Sequence, residues 1–99
     1  MNELRTHLLD LIDKASWEWL EEHATEGRLM IVAANLELVE VGLALAEDDI
    51  SIVKQWLDDG WLYRPTEAQI NHWQKFKDLE FESLIIQPFV LSREPIAQG

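Results

Sequence analysis

Leu29 to Ala34 is the longest strictly apolar run in the chain, and it constrains the fold most. With Arg28 before it, the stretch RLMIVA at 28–33 shows no alternation of polar and apolar residues. It is short and lies between Gly27 and Asn35. A half-exposed strand would alternate, and a helix would be longer. The run therefore predicts a central strand covered on both faces. It is far too short to span a bilayer as a helix.

The rest of the chain reads mainly as helices. Leu4, Leu8, Leu11, Ile12 and Ala15 recur at helical spacing and predict an amphipathic helix over 3–15, with Asn2 as its N-cap. Ser16 can cap a short helix over 17–24, which Gly27 ends in the left-handed conformation. Residues 36–47 (LELVEVGLALAE) form a helix whose one polar stripe is Glu37, Glu40 and Glu47, so this helix should be the most buried. Gly42 inside it costs about 1 kcal/mol relative to alanine, which close packing against a neighbour would explain. Asp48 or Asp49 opens a helix over 50–59, with Ile50, Val53 and Leu57 inward and Gly60 just past its end.

Trp61 to Arg64 is a short strand that Pro65 stops. Thr66 and Gln69 then make a capping box for a helix to about residue 77. Phe81 to Leu91 (FESLIIQPFVL) is the second strong strand. Pro88 removes a ladder donor, which puts the strand at an edge or gives it a bulge. Residues 1–91 form one domain, and 92–99 show no period and read as a disordered tail. The fold class is α+β: a small two-layer domain of about five helices on a short three-stranded sheet. The expected core is Leu8, Leu11, Ile12, Met30, Val32, Val39, Leu43, Val53, Leu57, Ile70, Trp73, Ile85 and Ile86.

Charge and composition narrow the function. Eight Lys and Arg stand against 19 Asp and Glu, a net charge of −11. Duplex DNA and anionic membrane surfaces repel such a chain, so neither nucleic acid nor membrane is an expected partner. No cysteine is present, which excludes disulfides, thiolate zinc sites and cysteine nucleophiles and fits a cytoplasmic protein. The N-terminus has no basic-then-apolar leader, so no secretory signal is expected.

Catalytic signatures are missing. The chain has no GxSxG, no phosphate loop and no dinucleotide fingerprint. His23 and Glu26 lie one helical turn apart, but two ligands do not make a site, and catalytic zinc wants three. The Glu47-Asp48-Asp49 turn is the densest carboxylate cluster. It could hold Mg²⁺ or Ca²⁺, but an Asp at a helix start also satisfies free amides and the helix dipole. No cofactor and no metal is expected.

Tryptophan is the compositional anomaly, with five in 99 residues. Trp17 and Trp19 sit two apart, so on a helix they point about 200° from one another and cannot share a core. Trp61 and Tyr63 share one strand face while Leu62 takes the other. Exposed aromatics are favoured binding anchors. Trp17, Trp19, Trp61, Tyr63 and Phe89 are therefore the candidate interaction surface, with a second copy of the chain or another protein as partner.

The order strand, helix, tight turn, helix, strand over 28–64 follows a winged-helix core. Its would-be recognition helix carries Asp48, Asp49, Asp58 and Asp59 against Lys54 alone, which argues against direct DNA binding. LELVEVGLALAEDD at 36–49, Trp56-Leu57, Pro65-Thr66, Trp73 and LIIQPFVL at 84–91 resemble a bacterial family of domains of unknown function, numbered 2288, over about Leu4 to Leu91. The resemblance implies a small bacterial cytosolic protein and carries no activity or functional residue with it. The leading expectation is a non-enzymatic interaction module, with a homodimer as one form of it. The alternatives are a small metal-dependent enzyme using the acidic turn, and an acidic winged-helix relative linked to transcription.

Overall fold

The computed structural model describes residues 3–95. Along the chain it places α1 (Glu3–Leu11), β1 (Asp13–Ser16), α2 (Trp17–Thr25), β2 (Leu29–Val32), α3 (Leu38–Ala46), α4 (Ile50–Asp59), β3 (Leu62–Tyr63), α5 (Glu67–Trp73), β4 (Glu80–Ile86) and β5 (Phe89–Arg93). The strands form one mixed sheet in the order β1-β4-β5-β2-β3. Only β2 and β5 run parallel; the other neighbours are antiparallel.

Five strands replace the expected three, for two reasons. Phe81 to Leu91 is not one strand. It is a hairpin whose arms are β4 and β5, and the chain reverses at Gln87-Pro88, a cis peptide. Proline has no N–H to give a ladder, so it sits where the ladder is interrupted. The second addition is β1, taken from the end of the expected first helix. That helix stops at Leu11, and Ala15 pairs opposite Phe81 instead. A single alanine is weak evidence for a helical period, and Ser16 was needed to start the next helix. The predicted Asn2 cap lies outside the described residues.

The apolar run behaves as its composition requires. Within β2, Leu29 and Ile31 join one buried cluster while Met30 and Val32 face the other. On one face of the sheet lie α1, α3 and α4, through Leu8, Val39, Leu43 and Trp56. On the other lie α2 and α5, through Trp17, Leu20 and Trp73. Helices thus cover both faces, and the two-layer expectation gives way to three layers.

Six of the nine residues of α3 are buried. Its glycine has a packing reason: a Cβ on Gly42 would lie 2.7 Å from Leu84 Cδ2 of β4. Gly27 and Gly60 have φ of 76° and 78° and end their helices in the left-handed region. Thr66 and Gln69 form the full capping box of α5. That helix ends at Trp73 rather than 77, because turn bonds from Phe76 N to Trp73 O and from Leu79 N to Phe76 O redirect the chain toward β4.

Three expected core residues are on the surface: Leu11, Leu57 and Ile85. For Leu57 the cause is the rotation of α4. The helix buries Trp56, with Ile52 and Val53 packed beside it, and this turns Ile50 and Leu57 outward. The larger aromatic surface decides which face goes in. Leu11 and Ile85 border a groove described below. The strand β5 continues through Ser92, fully enclosed, and Arg93, beyond residue 91 where loss of periodicity suggests the domain ends. Residues 96–99 of the expected tail lie outside the described residues.

Candidate functional site

The candidate site begins with the two tryptophans of α2. Ser16 caps this helix, its hydroxyl accepting from Trp19 N at 3.4 Å. With the helix start fixed there, Trp17 enters the core cluster and Trp19 is left at the surface. Trp17 has 0% of its surface exposed and packs on Trp73 and Phe81 at ring-centroid distances of 5.2 and 6.0 Å. It is a core residue, which removes it from the predicted interaction surface. Trp19 is 46% exposed and leans on the His23 ring at 4.6 Å.

Trp19 stands over an open groove of about 430 Å³ lined by Leu11, Asp13, Lys14, Ala15, Ser16, Trp19, Ser83 and Ile85. Four elements contribute, α2 through Trp19 itself. Leu11 closes α1, Asp13 to Ser16 are the edge strand β1, and Ser83 and Ile85 come from β4. On this face α2 and α5 cover Phe81, Val90 and Ile31, while Ile85 is left exposed. Leu11 at 48% and Ile85 at 45% exposure join Trp19 as large apolar side chains around one depression.

The polar part of the floor is satisfied internally. Ser83 Oγ donates to Phe81 O at 3.1 Å and lies 2.8 Å from Ser92 Oγ. With the Ser83 proton on a carbonyl, Ser92 is the donor within the pair. Asp13, opposite Ser83 in the strand register, accepts from Lys14 N at 2.8 Å. No histidine lines the groove. A serine whose proton is bonded to backbone, with no histidine beside it, lacks the usual activation of a serine nucleophile. The groove is therefore a largely apolar depression without a serine–histidine pair.

The other predicted residues are scattered over the molecule. Tyr63 is half-buried and belongs to a hydrogen-bond chain. Its hydroxyl donates to Glu94 Oε1 at 2.7 Å and accepts from Gln69 Nε2 at 3.1 Å. Burial pushes its phenol above the ordinary value of 10.0; Gln69 opposes this and Glu94 adds to it. Phe89 starts β5, half-buried and opposite Ile86. Trp61 is exposed just beyond α4, its N–H bonded to Trp56 O at 2.9 Å. With Ile50 and Leu57 it gives α4 an outward apolar side, which the expected inward assignment of those two residues hides.

In the acidic turn, Glu47 follows the last residue of α3, Asp48 adopts φ of 54°, and Asp49 caps α4 by accepting from Ile52 N at 3.4 Å. At the His23–Glu26 spacing an arginine takes the place a cation would occupy. Arg28 donates to His23 Nδ1 at 3.4 Å and pairs with Glu26. Among the described residues no three His, Cys, Asp or Glu converge as a metal site, and no helix is long and apolar enough to cross a membrane.

Among the described residues, the fold and groove define a small α+β protein with five helices, a five-stranded mixed sheet and an apolar depression at one sheet edge. The family profile described as "Protein of unknown function (DUF2288)" matches residues 3–94, and the chain belongs to that family. Among solved structures, the chain is similar to the NMR solution structure of PA1075 from Pseudomonas aeruginosa. The two share 31% identity and a TM-score of 0.78, over 99% of this chain and 89% of that one. No curated protein matches the chain significantly.

Proposed function

We propose that the protein is a cytoplasmic, non-enzymatic interaction module. Its groove at the β1 edge takes an extended segment of a partner protein that carries apolar side chains flanked by Lys or Arg. The observation that carries this reading is the convergence of exposed Leu11, Trp19 and Ile85 on one groove beside an unpaired strand edge. A free edge offers backbone donors and acceptors, and adjacent pockets for alternate side chains give selectivity. An exposed tryptophan at such a place is a favoured anchor.

Charge complementarity supports a basic segment. Asp13 lines the groove, and exposed Asp10, Glu18 and Glu22 lie within one helical turn in sequence of its lining residues, against Lys14 alone. The net charge of −11 acts in the same sense and speeds encounter with cationic partners. The winged-helix reading has less support. Exposed Asp49, Asp58 and Asp59 on or next to α4 would face a phosphate backbone with Lys54 as the helix's own cation.

An NMR titration with three extended peptides tests the reading. The peptides carry the same alternating apolar residues and basic, neutral or acidic flanks. The basic peptide should shift the Trp19 indole and Ile85 methyl signals, the acidic one should not, and Trp19→Ala should abolish the response. If no peptide perturbs these signals, or if Trp19→Ala responds like the parent chain, the groove is not a docking site.

A further inference from the structure

A second surface, separate from the groove, carries an inference of its own. On α4, Leu57 lies roughly 20° round the helix from Ile50, with Lys54 and Asp58 about 40° and 80° to the other side. Ile50 is 75% exposed, and Leu57 and Trp61 are also on the surface. The result is an apolar stripe with Ile50 at its start, Leu57 in its second half and Trp61 just past its end. A cation and an anion lie along one flank, and among the described residues neither takes part in an ion pair.

We infer that two copies of the chain associate weakly through α4, antiparallel, about a two-fold axis level with residue 56. A two-fold interface must be complementary to itself, and this stripe is. Antiparallel apposition brings Ile50 of each copy to the helix end where the other copy's Trp61 sits. In the same register each flank meets its own counterpart, so Lys54 of one copy stands opposite Asp58 of the other, twice. A parallel or shifted arrangement loses both matches. Direct pairing of β1 edges offers no such charge match: a two-fold axis normal to the sheet would set residues of like parity opposite, such as Lys14 on Lys14.

The ten residues of α4 extend about 15 Å. One helix stripe of that length covers less than the roughly 800 Å² per partner of a standard stable interface, so the dimer should be concentration-dependent. The charge of −11 on each copy opposes association, and physiological salt screens it within about 8 Å.

Sedimentation velocity of the full chain in physiological salt, up to millimolar concentration, tests the inference. The wild type should show a reversible monomer–dimer equilibrium. Leu57→Glu should weaken it by about tenfold or more, as should Lys54→Asp, which sets like charges opposite one another. Both positions are exposed, so melting temperatures should stay near wild type. The double variant Lys54→Asp/Asp58→Lys should recover most of the lost association. Trp19→Ala, in the groove, should leave it unchanged. A wild type that stays monomeric throughout overturns the inference, as does a dimer indifferent to Leu57→Glu. A folded double variant that fails to recover overturns the antiparallel register.

Discussion

The Trp17 indole fills the centre of one core cluster, yet its Nε1 has no hydrogen-bond acceptor. Its role there is therefore ring packing. Trp17→Ala should cost about 3–5 kcal/mol, the range for emptying a large aromatic site. Trp17→Phe should cost clearly less, because it keeps most ring contact and removes a buried donor whose desolvation is uncompensated. Urea denaturation of both variants checks this; equal losses would mean the indole N–H matters to stability. Gly42 raises the opposite issue. Alanine there would gain about 1 kcal/mol of helix propensity. Its methyl would also press on Leu84, which is fully buried and has little room to yield. Gly42→Ala should be destabilising alone and stabilising in a Leu84→Ala background. A double-mutant cycle with no coupling between the two sites would refute the contact.

Caps set the boundaries of the elements, and they are also where the sequence is easiest to read. Ser16, Gly27, Gly60 and Thr66 each do the work their residue type implies, because capping is local chemistry. Thr66→Ala should cost about 0.5–2 kcal/mol, and Asp49→Ala should fall at the lower end of that range, its bond to Ile52 N being longer. Thermal melts with and without chelator check this, and EDTA should have no effect on either protein. The strand count was much harder to read. A hairpin inside FESLIIQPFVL shows only as one proline, and β1 shows as nothing, because a four-residue edge strand exists only through its partner β4. The rotation of α4 was hidden in the same way: Ile50, Val53 and Leu57 make as good a period as Ile52, Val53 and Trp56. The groove was half legible. The divergence of Trp17 and Trp19 follows from helix geometry, so one exposed tryptophan was readable. That Leu11 and Ile85 would stand beside it depends on the unseen pairing of β1 with β4.

At the scale of the whole molecule, two titrating groups join distant segments and should shape the pH dependence of stability. Hydrogen bonding from Gln74, then from Lys77, holds the Glu21 carboxyl below its ordinary value of 4.5. A depressed folded value adds stability that is present above that pH and lost as acid protonates the folded state. Tyr63 behaves in the opposite sense. Its raised folded value adds stability that is complete below pH 10.0 and lost as pH climbs through the higher folded value. Melting temperature against pH should fall at both ends, with the acid limb flattened in Glu21→Gln and the alkaline limb in Tyr63→Phe. An alkaline limb identical in Tyr63→Phe would assign that loss to other groups. The sheet's strand order has a further consequence, for how the chain is made. The last strand, β5, sits between β4 and β2, and Leu29 finds its partner only in Val90. Without β5 the sheet falls into two unconnected pairs, β1 with β4 and β2 with β3, each too small to persist in water. A nascent chain therefore has no early folded half to protect it. Its most apolar strand stays without its parallel partner until β5 is made, and a product cut short before Phe89 should be a degradation substrate rather than a partly working protein.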